Sequence, residues 1–207
     1  MALHDEFRKT RSGDVFLNPV TGERSVVLVG TGDGKGDRLA ARLHVTPGGA
    51  VVGEHYHPTI TERFRVLSGE IEVSLDGRRD TLHPGADVTI PPGTVHDWWN
   101  AGREEAQVLV EVRPARRFEL MVGTLFGLAR DGKTNDKGMP GPLQLAVMGN
   151  EFTDVLRFTK PPAVVQKLLF APLAALGRLR GYRPVYVEYA DPQAHEEPDP
   201  ELLALVE

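Results

Sequence analysis

Three histidines and one glutamate stand at spacings that could build a metal site. One residue separates His55 from His57, four more precede Glu62, and His96 stands in a later segment. Alternate side chains of a β-strand point to the same face, so we expect His55 and His57 on one side. The four intervening residues are enough for a tight reversal that returns Glu62 to the two imidazoles. Three imidazoles and one carboxylate suit a single divalent Fe, Mn, Ni, Cu or Zn ion and leave a coordination position for water or substrate.

The chain contains no cysteine, and this narrows the chemistry further. Thiolate zinc sites, disulfide frameworks, iron–sulfur clusters and a cysteine nucleophile are all excluded. A bound metal must then be held by imidazole and carboxylate groups. The alternative interpretation is that His55 and His57 are ordinary surface histidines and Glu62 is a solvated charge. The combined spacing of the four residues favours the metal site.

The four residues belong to two blocks of spaced positions that resemble the two-motif signature of the cupin superfamily. Fifteen residues, 70–84, separate the two blocks. The matching positions are Gly49, His55, His57, Glu62 and Gly69 in the first block, and Gly85, Pro91, Gly93, His96 and Asn100 in the second. The resemblance covers residues 37–114 and implies a mainly β fold with a jelly-roll β-barrel. Because cupin relatives commonly dimerise, it also implies a homodimer.

The other motif residues are expected to shape the backbone. The four glycines, Gly49, Gly69, Gly85 and Gly93, stand where turns need a positive φ or where two backbone segments approach closely. The turn that contains Pro91 would deliver His96 from a separate hairpin. Asn100 is expected to form hydrogen bonds at a turn or strand end rather than to bind the metal.

Strand parity also predicts the walls of a substrate pocket. If Glu62 faces the metal, Phe64 and Val66 point inward as well, while the arginines between them point outward. If His96 faces the metal, so does Trp98. An apolar cavity walled by Phe64, Val66 and Trp98 favours an organic substrate over a small polar acid. The alternative is that these three side chains simply fill the barrel.

The spacing of the apolar residues changes at Pro114. Before it, short β-branched or apolar runs are cut by Gly, Pro and Asp, which indicates an antiparallel β structure. The clearest predicted strands are 26–29, 39–45, 71–75, 88–90 and 108–112. After Pro114, apolar residues recur at three- and four-residue steps, which predicts helices. The predicted helices are 116–130, 143–157 and a third from Pro161-Pro162 to Leu179 with a kink at Pro172, and one further strand is predicted at 184–190.

These patterns suggest four regions along the chain. Residues 1–36 are expected to add N-terminal strands to the barrel, and residues 37–114 to form the barrel itself. Residues 115–190 would form a helical extension with a final strand, and residues 191–207 an acidic tail. The apolar faces of the extension are too large to leave in water, so we expect them to pack on the barrel or on a second subunit.

Charge and hydropathy limit the partners. The formal net charge of −5 gives no overall basic excess for binding nucleic acid, which leaves a local basic patch as the alternative. Residues 163–179 are apolar but too short to span a membrane, which leaves an interfacial helix as the alternative to core packing. Residues 1–15 lack the basic start and apolar stretch of a signal peptide, so a cytoplasmic protein is expected.

Three functions are consistent with the motifs, because this fold hosts many chemistries. The first is a mononuclear non-haem oxygenase, similar to the flavonol-dioxygenase type of cupin, that acts on a small enol- or phenol-type substrate with Glu62 as catalytic base. The second is a non-oxidative lyase or isomerase that stabilises an enolate. The third is a ligand-binding or regulatory module without catalysis. Oxygen dependence would separate the first two, and metal dependence of ligand binding would identify the third.

Overall fold

Two antiparallel β-sheets and four α-helices form the part of the chain that the computed structural model describes, residues 7–49, 53–115 and 117–206. The strands are β1 (Asp14–Asn18), β2 (Glu23–Val29), β3 (Leu39–Val45), β4 (His55–Tyr56), β5 (Thr61–Ser68), β6 (Ile71–Leu75), β7 (Arg78–Leu82), β8 (Asp87–Ile90), β9 (His96–Trp99), β10 (Ala106–Arg113), β11 (Arg157–Phe158) and β12 (Ala194–His195). The helices are α1 (Phe118–Arg130), α2 (Pro142–Glu151), α3 (Ala163–Leu179) and α4 (Pro200–Val206). Residues 1–6, which belong to the segment assessed for a signal peptide, lie outside the described residues.

The two sheets face each other in a jelly-roll arrangement. One sheet has the strand order β12-β1-β2-β3-β10-β5-β8, and the other has the order β11-β4-β9-β6-β7. Alternation along β5 buries Glu62, Phe64 and Val66 between the sheets, and β6 contributes Ile71 and Val73 from the opposite side. This period-two burial is the physical basis of the mainly β fold that the sequence predicts.

The predicted strands are confirmed, and two of them have the expected bounds. Strands β3 and β6 coincide with the predicted 39–45 and 71–75, whereas β2, β8 and β10 are longer than their predicted cores. Most of the extra residues are polar or charged side chains at strand ends, and the exception is the buried Ala106 of β10. Propensity disfavours such residues, but the ladder hydrogen bonds of neighbouring strands include them.

The helical extension is confirmed, with one boundary corrected. Helix α1 begins at Phe118, and the predicted start at Arg116 lies outside the described residues. Helix α2 ends at Glu151, not at Arg157, because Arg157 and Phe158 pair with β4 as strand β11. A tertiary strand pairing therefore replaces the last turn that the apolar spacing predicted.

The strand predicted at 184–190 is wrong. Residues Val187–Tyr189 form a short 3-10 helix, with Val185 and Tyr189 buried and Val187 59% exposed. The buried Tyr189 ring lies against Gly127 of α1, where an added Cβ would come within 2.1 Å of the ring. The final strand is β12, which pairs with β1 and lies within residues 191–207, the segment expected to form an acidic tail.

Helix α3 differs most from its predicted packing. It packs on α2 rather than on the sheets, and Val164, Leu168 and Leu179 are 71%, 69% and 86% exposed. Pro172 lies within this continuous helix. The packing of this face on a second subunit, and with it the homodimer, stays a prediction. In the described part of the chain, every helix is too short or too polar to cross a bilayer.

Candidate metal centre

The structure brings the four predicted ligands together in the interior. One ligand atom from each of His55, His57, Glu62 and His96 lies within 4.8 Å of the other three. All four side chains are buried, with exposed fractions of 4%, 2%, 4% and 1%. Such close burial of four polar groups is costly unless each finds a partner, and a shared cation is the partner that satisfies all of them.

Both sheets contribute to this group. His55 and His96 are direct neighbours across the β4–β9 pair, and their ring centroids lie 4.3 Å apart. Glu62 projects from β5 of the opposite sheet, and its Oε2 lies 3.0 Å from His96 Nε2. The centre therefore lies between the two sheets, with the reversal between β4 and β5 carrying the chain from one to the other.

A backbone carbonyl holds each imidazole in place. The Nδ1 atoms donate to the carbonyl oxygens of Gly53 (His55, 2.6 Å), Val155 (His57, 2.6 Å) and Thr94 (His96, 2.9 Å). A proton on Nδ1 leaves the lone pair on Nε2, which is the atom directed at the centre. Such outer hydrogen bonds orient metal-binding imidazoles and increase their basicity.

One of these carbonyls comes from the helical extension. Val155 lies between α2 and β11, far beyond the motif that contains His57. Strand β11 pairs Phe158 with His55, and the ring of Phe118 in α1 lies 5.8 Å from the His57 ring. The extension is therefore part of the structure that positions the histidines.

Electrostatics of the group favour a cation. Burial works against the negative charge of Glu62, but His57 and His96 outweigh burial and hold the pKa of Glu62 well below its usual range. Burial and the neighbouring imidazoles lower the pKa of His55 to about 3. Burial also opposes protonation of His57, but Glu62 and the Val155 carbonyl raise the pKa of His57. The ionised Glu62 thus attracts positive charge into a site that otherwise excludes it.

The residues present fit a divalent transition metal. Within the described chain, His57 Nε2 is one of the few buried side-chain atoms that lack a hydrogen-bond partner, and it lies 3.3 Å from Glu62 Oε2. A buried lone pair beside an ionised carboxylate is the arrangement that a metal ion satisfies. The donor set of three nitrogens and one oxygen suits a first-row divalent ion.

A cavity of about 110 Å³ opens on one side of this centre. His55 and Glu62 face into it, Phe64 and Trp98 form its walls, and α1 covers it through side chains that include Met121. The Phe64 and Trp98 ring centroids lie 5.5 Å apart. Val66 was expected in this wall, but it packs in the core beyond Phe64 and is absent from the residues that line the cavity.

The remaining motif residues shape the backbone around the centre. Gly93 has φ 83° and donates its N–H to the His57 carbonyl at 2.8 Å, so the Pro91 turn contacts the first motif directly. A Cβ at Gly49 would lie 2.6 Å from the Thr21 carbonyl oxygen. Asn100 is 1% exposed, and its side chain bonds the carbonyls of Val45 and Glu104 and the N–H of Gly102. Gly69 and Gly85 also have positive φ.

Similarity to known proteins agrees with this geometry. The family model described as a cupin domain matches residues 41–112. Protein SchB of Streptomyces halstedii is 30% identical over 108 residues, which are 51% of this chain and 70% of SchB. The chain belongs to the cupin superfamily. Its jelly roll and buried His/Glu group have the form that the two motifs predict for a cupin with both motifs intact.

Two further relatives of this cupin have informative names. Polyketide synthase CurC of Streptomyces cyaneus is 32% identical over 111 residues, and the match covers 53% of this chain and 64% of CurC, less than two thirds of its length. A solved structure of a putative sugar phosphate isomerase from Acidithiobacillus ferrooxidans is 27% identical. That match covers 47% of this chain and 62% of the isomerase, with a TM-score of 0.41.

Several groups that bear on the site were not predicted from the sequence. The role of the Val155 carbonyl could not be predicted, because every residue has a backbone oxygen and no residue type identifies the one that binds His57. Glu23 is also unexpected: it is 5% exposed and lines the cavity at the end formed by β2. Glu23 and Ser25 are two residues apart in β2, so their side chains point to the same face of the strand. This alternation could have shown that Glu23 points inward.

Glu23 makes the stability of this cupin depend on pH. Burial raises the pKa of Glu23 to about 7, although the Thr21 hydroxyl donates to its carboxylate at 2.6 Å. The folded state therefore binds a proton that the unfolded state releases near pH 4.5, so stability falls as pH rises from there to about 7. The Glu23→Gln variant should lack this loss and gain about 3 kcal/mol over the wild type at pH 8 relative to pH 4.

Urea unfolding of both proteins at a series of pH values measures this difference. The exposed Glu104 provides the matched control, since Glu104→Gln should follow the wild-type curve. A constant stability difference between Glu23→Gln and wild type across this range would contradict the expectation.

Proposed function

We propose that this cupin is a metal-dependent enzyme, a mononuclear non-haem oxygenase that acts on a small enol- or phenol-type group of an organic substrate. The observation that carries the proposal is the placement of Glu62. It is the one carboxylate of the His/Glu group, and with His55 it faces a cavity walled by Phe64 and Trp98. A proton acceptor, a metal site and an apolar space for carbon therefore meet at one point.

His55, His57, Glu62 and His96 would hold the ion. When bound, a divalent transition metal would acidify an enol or phenol oxygen and promote the reaction of the ionised substrate with O2, which takes its electrons from the substrate. The carbonyls that bind each Nδ1 keep the imidazoles in the tautomer whose Nε2 faces the ion. Three imidazoles are neutral ligands, so Glu62 supplies the charge that retains a divalent cation.

Glu62 is the residue suited to accept the substrate proton. The low pKa of Glu62 keeps it ionised, and its Oε2 lies 3.0 Å from His96 Nε2. A hydroxyl that enters from the cavity would meet the carboxylate directly, which is the geometry of general base catalysis. The nearby imidazoles would stabilise the shared proton while it is held at Glu62 Oε2.

The cavity walls exclude water and orient an aromatic or conjugated group. Phe64 and Trp98 are 1% and 3% exposed, and their rings contact each other at a tilt of 47°. Flat conjugated groups pack well on such rings. A dry wall also protects a reactive carbanion from protonation by solvent.

The name of one relative supports this substrate class. CurC is named as a polyketide synthase, and polyketide chains are rich in enolisable carbonyl and phenolic groups. We carry over to this cupin only the chemical class, an enol or phenol, because the cavity at Glu62 is apolar and small enough to select the reacting end of such a molecule.

The test is oxygen uptake by protein loaded with iron or manganese. With an enol or phenol substrate we expect consumption of O2 and label from isotopic O2 in the product. The Glu62→Gln variant should lower the rate by a factor of about 100 or more. Glu111→Gln is the matched control, since Glu111 is also buried, at 7% exposed, but faces Arg63 on the outer side of the sheet.

Two other outcomes would replace this proposal. Turnover that continues without O2 and incorporates no label identifies a non-oxidative lyase or isomerase. Ligand binding that needs no metal and survives His96→Ala, with no turnover, identifies a binding or regulatory module.

A further inference from the structure

The helical extension lines a second, larger and partly open cavity beside the metal centre. This cavity has a volume of about 600 Å³, which is the size of a site for a drug-sized molecule rather than a packing defect. Side chains from α1, α2, α3 and the β4–β11 pair line it, and most of them are apolar. It is separate from the cavity of about 110 Å³ into which Glu62 faces.

The two cavities adjoin. Met121, Leu125 and Leu156 line both of them, so these side chains form the partition. Met121 and Leu125 are one helical turn apart on α1, and they present neighbouring side chains on the same face. Methionine is unbranched and has three rotatable bonds, so a change of the Met121 rotamer can open the partition without moving the backbone.

The lining of the larger cavity suits a large apolar ligand. All three methionines of the described chain, Met121, Met139 and Met148, line it, although methionine is rare in the sequence. Such side chains adapt to ligands of different shape. The aromatic rings of Phe152, Phe158 and Phe170 add flat surfaces on which a conjugated ring system can stack.

The larger cavity is tied to the metal ligands through the backbone. Tyr56 and Phe158 line the cavity and belong to the β4–β11 pair, in which Phe158 is the partner of His55. Leu156 lies next to Val155, whose carbonyl binds His57. A ligand in the larger cavity would therefore lie directly behind the residues that position two of the imidazoles.

We propose that the larger cavity binds the apolar, multi-ring body of the substrate, while its reacting oxygen enters the smaller cavity past Met121 and Leu125. This inference rests on the proposed function and makes it more specific. The barrel selects the enol or phenol group, and the helical extension selects a large aromatic molecule over a single-ring one.

Two probes with the same chelating head test the proposal. Maltol and flavonol both carry a hydroxypyranone, but flavonol adds a fused ring and a phenyl group. In manganese-loaded wild-type protein, flavonol should bind about 100-fold more tightly than maltol, because the added rings bury apolar surface. Equilibrium titration followed by flavonol fluorescence and by calorimetry gives both Kd values.

Two alanines of α3 supply a matched pair of variants. Both are exposed, but Ala171 lines the larger cavity and Ala175 does not. Ala171→Trp should reduce the preference for flavonol by a factor of about ten or more, and Ala175→Trp should leave it unchanged. Maltol should bind all three proteins equally. Leu145→Trp, which fills the same cavity from α2, should repeat the effect of Ala171→Trp.

The proposal is overturned if flavonol binds the wild type no more tightly than maltol does. It is also overturned if both filling variants leave the preference unchanged, or if they weaken maltol and flavonol equally, since the substitutions would then act on the metal centre. Failure of the oxygenase proposal gives a different result: the preference persists and responds to Ala171→Trp, but neither iron nor manganese supports O2 uptake.

Discussion

Substitution of His96 by alanine should remove the metal from this cupin and abolish its activity. His96 is 1% exposed and its Nε2 lies 3.0 Å from Glu62 Oε2, so its loss removes one proposed ligand and leaves the carboxylate with fewer partners. We expect metal affinity to fall by more than about 100-fold, since changes even to groups behind the ligands cost 10- to 100-fold. Elemental analysis of protein purified without a chelating tag, followed by competition with a chelator, measures the loss.

Two further variants separate metal binding from folding. His96→Gln keeps the volume and an amide donor for Glu62, so it should fold like the wild type and still bind metal poorly. His83→Ala is the control, because His83 is an exposed histidine in a turn. Full metal occupancy in both His96 variants would mean that His96 is not a ligand.

Truncation after Pro114 should weaken metal binding even though all four proposed ligands remain. The truncated chain loses the Val155 carbonyl that orients His57 and the β11 partner of β4. It also loses α1, whose Leu120 and Leu128 are buried in the main core with Phe64. Exposure of that core should cause aggregation, and any soluble fraction should bind metal at least about tenfold more weakly.

Removal of α4 alone is the control for this truncation. A chain that ends at Asp199 loses Val206, which packs with Leu28 and Leu109 in a cluster distinct from the main core. It should unfold at a lower temperature but keep its metal. A soluble fragment 1–114 with wild-type metal affinity would show that the extension is dispensable, and it would remove the structural role assigned to Val155.

The helical extension has two separate proposed roles, one in the orientation of His57 and one in binding the body of the substrate. The Val155 carbonyl acts on the orientation of His57, whereas Ala171 and Leu145 reach only the space beside it. The tryptophan variants should therefore contain as much metal as the wild type, because none of these substitutions changes a hydrogen bond to an imidazole.

The sequence alone determined the family, the β architecture and the four residues of the proposed metal site. His55, His57, Glu62 and His96 could be identified because spacing along a strand directly controls which side chains share a face. Strands such as β3 and β6 could be bounded because their apolar runs end at Gly, Pro or Asp turns. These features depend on residues that are close together in the sequence, so they can be predicted from the sequence alone.

The tertiary structure decided how the extension takes part in the site. Val155 reaches His57 across 98 residues, through a carbonyl that has no side-chain signature. Arg157 and Phe158 leave their predicted helix because β4 offers a strand partner, and residues 187–189 bend so that Tyr189 can fill the space beside Gly127. These local structures are stabilised by contacts between segments that are distant in the sequence. Those contacts exist only after the chain has folded.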